Sequence, residues 1–497
     1  MYKESVFVST VDQIITKIQD IVWGPPLIIL LLGTGLYLSI RLGFLQIRQL
    51  PRAFHYLFHN ETEGHGEVSS FGALCTALSA TIGTGNIVGV ATAIVAGGPG
   101  ALFWMIVAAF FGIATKFTEG FLAVKFRKVD ENGHILGGPF YYIENGMGPK
   151  WKWLAKLFAF FGAFCGIFGI GTISQVNGIA SAVKNFFDPD TAHAVSIFGR
   201  DYSIAVVIAG VIVTLLAALV IIGGLKRISK VAQVVVPFMA CLYVLFALIL
   251  LACNITKIPT AVVLIVKGAF NPRAVTGGAV GSIIVAMQKG IARGIFSNES
   301  GIGSAPIAAA AATTKEPARQ GLVSMLGTFI DTIIICTMTG LSIVITGSWN
   351  IGLEGVAVTT NAFQNGIPFL SDSAAAFILM VCLVFFAFTT ILGWDYYGER
   401  CVEYLAGKHG KGAVKIYRIL YIIAVFCGPY ITIAAVWNMA DVSNGLMAFP
   451  NLVALLALSG IVSKETKEYL AKCRNEKKAA SGVGELAEAK ADIAPEE

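Results

Sequence analysis

The stretch Ser79-Ala-Thr-Ile-Gly-Thr-Gly-Asn-Ile-Val-Gly89 places Gly83, Gly85 and Gly89 in the middle of an apolar segment long enough to cross a bilayer. A lipid-facing helix that lost its regular hydrogen bonds there would strand peptide groups in hydrocarbon, at a steep cost in free energy. Such a break is tolerated only where protein buries it or where it lines a cavity, and its bare amides and carbonyls then become ligands. A second interruption, Phe296-Ser-Asn-Glu-Ser-Gly-Ile-Gly303, lies in another long segment of small residues about two hundred positions later. Paired broken helices in the two halves of a chain are a device for holding a solute near the bilayer midplane.

Composition agrees with a membrane location. Of 497 residues, 56% are hydrophobic and 13% charged, with a mean hydropathy of +0.74. Soluble domains average about 25% charged residues, roughly twice this value. The net charge of +6 sits in short loops, which points to membrane orientation and away from nucleic acid. No cleavable leader is expected, because residues 1–22 are mixed polar and the first apolar run is long enough to span. The nine cysteines fall mostly within apolar segments and form no C-x-x-C pair, so neither a metal clip nor a disulfide framework is indicated.

Eleven spans are expected, at 24–42, 69–96, 100–124, 153–183, 202–224, 232–253, 277–312, 320–346, 370–398, 414–437 and 440–462. Lysine and arginine counted over the alternate loops divide about nineteen to seven. That asymmetry puts the N-terminal segment, 1–23, outside and the tail, 463–497, in the cytoplasm of a cell whose plasma (inner) membrane holds the chain. With the helix at 24–42 set aside, ten spans remain, in two blocks of five at 69–253 and 277–462. Five is odd, so the second block inserts upside down relative to the first, and in each block the opening helix is the interrupted one. The fold class is therefore all-α, a 5+5 inverted repeat with one extra N-terminal helix and two broken helices. The Ala/Glu/Lys-rich tail after Lys464 is expected to be a short helix that frays.

Ile82-Gly-Thr-Gly-Asn86 would present backbone N–H groups at the start of a half-helix, where the positive end suits a carboxylate. The carbonyls of Ser79 and Ile82 end the preceding half-helix and suit a cation. The match to G-x-G-x-x-G carries no dinucleotide site, since no strand precedes it. At the second break Phe296 can wall a pocket, and Ser297 and Asn298 offer polar groups. Glu299 is either a functional carboxyl at membrane depth or a structural one pinned by the unwound backbone or by Arg293. Thr389 and Thr390 stand together in an apolar span; each can bond its own helix, or both can offer hard oxygens to Na⁺. Trp394, one turn on, is a candidate pocket wall, and Gln175 a candidate polar contact. Lys116 and Glu119 are expected to pair. Asp331, Asp395 and Asp441 are isolated intramembrane carboxyls with no assigned role.

Gly98-Pro-Gly-Ala-Leu-Phe-Trp104, Gly137-Gly-Pro-Phe-Tyr-Tyr-Ile-Glu-Asn-Gly146 and Ser297-Asn-Glu-Ser-Gly-Ile-Gly-Ser-Ala-Pro306 resemble signature blocks of the alanine/glycine:cation symporter family, over about residues 20–462. That resemblance implies a leucine-transporter-type fold and uptake of alanine, glycine and sometimes their D-forms, driven by Na⁺ or in some members by H⁺. It implies carboxylate-binding amides at Thr84 and Gly85 with Asn86 beside them. It further implies a sodium site from the Ser79 and Ile82 carbonyls with the Thr389 and Thr390 hydroxyls, and a small pocket bounded by Phe296, Gly301 and Trp394. The expected partners are a small neutral amino acid, a sodium ion and the bilayer. Against a membrane enzyme, the sequence has no H-E-x-x-H, no nucleophile beside a base and no phosphate loop. Against a channel, two broken helices suit a closed midplane site better than a continuous pore.

Overall fold

Proline opens several of the helices, where its missing N–H is one of the groups a helix start leaves unbonded in any case. The computed structural model describes residues 14–491 apart from 20, 60, 62, 198–199, 271–282 and 432. Helix α1, Pro25–Arg41, begins on such a proline pair, and α2 is the short amphipathic helix Leu50–Phe58. Helix α3, Ser70–Thr81, is capped by Ser69, whose hydroxyl accepts the Gly72 amide at 3.0 Å. After a bend of 52° a π-helical turn, Gly85–Gly89, leads into α4, Val90–Gly97. There follow α5 (Gly100–Lys125), α6 (Lys152–Phe168), α7 (Ile173–Phe187), α8 (Ile204–Ile221), α9 (Gly224–Cys253) and α10 (Ile258–Phe270). The second broken helix comprises α11 (Ile283–Asn298) and α12 (Ala305–Ala309). Helices α13 (Pro317–Thr328) and α14 (Thr337–Thr346) are joined by a π-helical stretch, Phe329–Cys336. Then come α15 (Val356–Gly366), α16 (Asp372–Ala406), α17 (Gly410–Cys427) and α18 (Ile433–Ala491). Two small antiparallel hairpins interrupt the loops: β1 (Lys128–Val129) with β2 (Ile135–Leu136), and β3 (Ala194–Ile197) with β4 (Arg200–Ser203).

Each expected span overlaps one of these helices or helix pairs, and the architecture is an all-α membrane fold. Residues 277–282 of the expected seventh span, 1–13 and 492–497 lie outside the described residues. Four details differ from expectation. The span expected at 153–183 is broken between Phe168 and Ile173, where Gly169-Ile-Gly171 lets the chain kink. The loop placed between 437 and 440 is helix, and the chain instead leaves α17 at 428–431, because Gly428-Pro429 ends that helix. Helix α10 forms in a stretch read as loop. The tail continues α18 as helix to Ala491, since its alanine, glutamate and lysine residues are strong helix formers and the next proline is Pro495.

Helix α5 is central to the packing. It contacts α13, α11, α1 and α10, and so spans both halves of the chain and the extra N-terminal helix.

Candidate functional site

The first break is served by neutral groups. The Gly83 amide donates to Asn86 Oδ1 at 2.9 Å, and the Thr84 amide to Gln175 Oε1 at 3.0 Å. The Thr390 hydroxyl donates to the Ile82 carbonyl at 3.2 Å. Gln175 is itself anchored through Nε2 to the Ile170 carbonyl at 2.8 Å, one of the carbonyls freed by the α6–α7 kink. Any side chain at position 83 would push apart the two groups that serve the break. A Cβ there would stand 2.5 Å from Thr390 Oγ1 and 2.9 Å from Gln175 Oε1.

The second break is served by charges. Helix α11 ends at Asn298, and Glu299 takes φ 56°, a left-handed state that non-glycine residues seldom adopt without support. Lys116, on α5, supplies it: its ammonium donates to the Asn298 carbonyl at 2.9 Å and the Glu299 carbonyl at 3.2 Å. Glu119 Oε1 accepts the Gly301 amide at 3.1 Å and Asn451 Nδ2 at 2.7 Å. The expected Lys116–Glu119 pair is present at 3.9 Å, but the hydrogen bonds of both residues go to the unwound chain and its neighbour. The Glu299 carboxylate accepts the Trp394 indole N–H at 2.8 Å and the Ser304 hydroxyl. Arg293 does not hold it; that guanidinium forms two bonds to Asp441, at 2.8 and 2.9 Å.

The two breaks touch. A Cβ on Gly85 would lie 3.2 Å from the Ser297 Cα and 3.4 Å from the Phe296 ring. Behind this contact stands Asp331, placed by the π-helical stretch within α13–α14. Its carboxylate accepts Asn86 Nδ2 at 2.7 Å, the Ser297 hydroxyl at 2.9 Å and the Thr332 hydroxyl at 2.6 Å. One carboxyl thus bridges both interruptions, a role the sequence left unassigned. Its signal was an acid in an apolar span; its partners lie 34 and 245 residues away.

Of the residues expected at the site, Thr84, Gly85, Asn86, Gln175, Phe296 and Ser297 gather at this contact. Ile82 and Thr390 adjoin it, with Ser79 against α16: its hydroxyl lies 2.8 Å from where a Cβ on Gly393 would stand. Thr389 turns elsewhere, donating to the Phe385 and Phe386 carbonyls and contacting the Met239 sulfur at 3.4 Å. Asn298 bonds Thr332 at 3.0 Å, and Gly301 packs on Leu31 and Leu452, so neither reaches the contact between the breaks. Trp394 is tied to the second break through Glu299. It also presses on the α6–α7 kink, where a Cβ on Gly171 would stand 2.4 Å from the Trp394 Cβ.

Both aromatics are buried: Phe296 is 1% and Trp394 0% exposed. On one side Arg293 lies 5.4 Å over the Phe296 ring and grips Asp441, which also accepts from Gln19. On the side bearing the basic loops, Arg127 donates to four carbonyls, those of Ala310, Ala312, His65 and Thr314, at 2.6–2.8 Å. Beside it the chain at Val68 forms a parallel bridge with Ala312. His134, on the β1–β2 hairpin, contacts Glu67 at 2.7 Å and Glu403 at 3.4 Å. The bonds to Glu403 and Glu67 raise its pKa from the ordinary histidine value to about 9.

A family profile described as the sodium:alanine symporter family matches residues 8–482. The chain belongs to the sodium:alanine symporter family. It is 56% identical, over 93% of its length and 96% of the relative's, to an uncharacterized transporter of Haemophilus influenzae. It is 46% identical, over 94% of its length and 98% of the relative's, to the sodium/alanine symporter AgcS of Methanococcus maripaludis. The crystal structure of MhsT in complex with L-phenylalanine shares the fold, with a TM-score of 0.50 at 13% identity, covering 81% of this chain and 100% of that one. As a member of the sodium:alanine symporter family the chain is a multi-pass membrane carrier for amino acids, not an enzyme, and the leucine-transporter-type fold expected from its sequence is the one it has.

Proposed function

We propose that the chain carries alanine or glycine, with serine or D-alanine as weaker cargo, together with Na⁺ by alternating access. The observation that carries this reading is the contact between the two breaks. There, amides at Gly83 and Thr84 already bond to amide oxygens of Asn86 and Gln175, oxygens of the kind a substrate carboxylate would offer. Close approach of Phe296 to Gly85 leaves little room beside them, which favours a short side chain. Two oxygen groups flank the contact as cation candidates. One is the Ile82 carbonyl with the Thr390 hydroxyl, with Ser79 nearby. The other is the Asp331 carboxylate with Asn86 and Ser297. The neutral set suits Na⁺; Asp331 can serve Na⁺ or a proton, which keeps H⁺ coupling as the second reading.

The test is uptake of labelled alanine by proteoliposomes under an imposed Na⁺ gradient, an imposed H⁺ gradient, or neither. A Na⁺ gradient alone should drive accumulation, and replacing Na⁺ with choline should abolish it. Undiminished uptake in choline, driven by the H⁺ gradient, would overturn Na⁺ coupling. Unlabelled glycine should compete strongly, serine weakly and leucine not at all, since each added methylene in an apolar pocket is worth about 1–3 kcal/mol. Equal competition by leucine removes Phe296 and Trp394 as the walls of the site.

A further inference from the structure

Where α1 ends and the distal part of α18 passes it, the molecule has a cavity of about 410 Å³. Arg41, Arg48, Lys467 and Arg474 line it, and no carboxylate does. None of these four cations makes an ion pair among the described residues. Arg41 is steadied by the Tyr37 hydroxyl and ring, and Arg48 donates to the Gly43 carbonyl at 3.3 Å. Thr466 also lines the cavity, and its hydroxyl is buried without a hydrogen-bond partner among the described residues. Four like charges around one space repel one another, and a buried hydroxyl left unbonded costs free energy; an anion with several acceptor oxygens relieves both.

The approach to this cavity is apolar. Ile29, Leu36 and Ile40, spaced seven and four residues apart, form one stripe along the outer face of α1, and each is exposed. The stripe ends at Arg41, so an acyl chain lying along it brings its headgroup to the cations. We infer that this cavity holds the phosphate of an anionic lipid headgroup, with Arg48, Lys467 and Arg474 as its charged contacts and Thr466 as a neutral donor. Basic pockets between membrane helices are a known form of headgroup recognition. The ligand would join the extra N-terminal helix to the helical tail, two segments outside the expected repeats.

The test is a titration of the full-length, detergent-purified protein with phosphatidylglycerol or phosphatidylcholine, counting bound lipid by native mass spectrometry. Wild type should bind phosphatidylglycerol in preference. Each cation lost near an anionic headgroup weakens binding about fivefold, so Arg48→Gln/Lys467→Gln/Arg474→Gln should shift the midpoint about a hundredfold. Thr466→Val, which keeps the volume and leaves the charges, should weaken binding about fivefold, and serves if the triple variant folds poorly. A charge-matched control, Lys150→Gln/Lys156→Gln/Lys408→Gln, removes three exposed lysines that do not line the cavity and should leave the midpoint where it was. Equal losses in the control and the triple variant, or no preference of wild type for the anionic lipid, would overturn the assignment. In a separate arm, inorganic phosphate should not compete at millimolar concentration; if it displaces the lipid fully, the ligand is a soluble phosphate and the lipid assignment fails.

Discussion

The two helix breaks meet at Gly85 and Ser297 but are held in opposite ways. The first has its amides and carbonyl bonded by Asn86, Gln175 and Thr390, all neutral. The second is bonded by the Lys116 ammonium and the Glu119 carboxylate, both buried in α5. A neutral amide can surrender a hydrogen bond to an incoming carboxylate at little net cost, because one acceptor replaces another. A buried ammonium cannot leave its carbonyls without stranding a charge. The first break can therefore exchange partners at lower cost than the second, which is why we propose it as the side that receives the substrate carboxylate.

The largest expected effect tests the fixed half. Lys116→Met leaves the Asn298 and Glu299 carbonyls without their donor and Glu119 without a cation, and breaking a buried charged set of this kind costs about 3–5 kcal/mol. Gln175→Leu at the first break should cost about 1–2 kcal/mol and act mainly on the apparent affinity for alanine. Thermal midpoints of the purified proteins, with alanine uptake kinetics, separate the two; equal destabilisation would erase the contrast.

A smaller effect sharpens the ion side of the first break. Thr390 reaches the Ile82 carbonyl across the helix gap, while Thr389 bonds its own helix and Met239. Thr390→Val should raise the Na⁺ concentration for half-maximal uptake about tenfold, the worth of one oxygen ligand at about 1.4 kcal/mol. Thr389→Val should raise it less. The reverse order would place the ion on the other side of α16.

The smallest effect lies at the β1–β2 hairpin, where His134 meets Glu67 and Glu403. The bonds to Glu403 and Glu67, opposed by the Arg400 guanidinium beside the ring, raise the His134 pKa to about 9, above the ordinary histidine value near 6.5. A raised pKa contributes stability that is complete below the ordinary value and is lost as pH climbs through the raised one. Because the ring is about one-third exposed, the contribution is about 1 kcal/mol or less after screening. The wild-type melting temperature should therefore fall between pH 7 and pH 9.5, and the fall should be blunted in His134→Gln. Parallel curves for the two proteins would remove His134 as the source of the fall.

What the sequence disclosed was what local chemistry marks. Glycine clusters betrayed both breaks, and the residues beside them at 82–86 and 296–297, with Thr390, marked groups that meet there. It was silent wherever meaning came from a distant partner. Asp331 looked like a lone acid until folding set it against Asn86 and Ser297, and Asp441 until it met Arg293 across 148 residues. Lys116 and Glu119 read as an ordinary pair three residues apart, because nothing along the chain shows that an unwound helix crosses between them and Asn451. The α6–α7 kink was passed over although Gly169-Ile-Gly171 lies in plain view. Two glycines in a helix mark close packing as often as a break, and only the side chain of Trp394 decides between them.

Arg127 deserves a thermodynamic reading of its own. One guanidinium serves His65 on the stretch before α3 and Ala310, Ala312 and Thr314 on the stretch after α12. Parting those stretches strips up to four carbonyls of one shared donor, so the bonds that join them are lost together. The seam between the two stretches thus rests on one side chain, 62 positions from the first and 183 or more from the second.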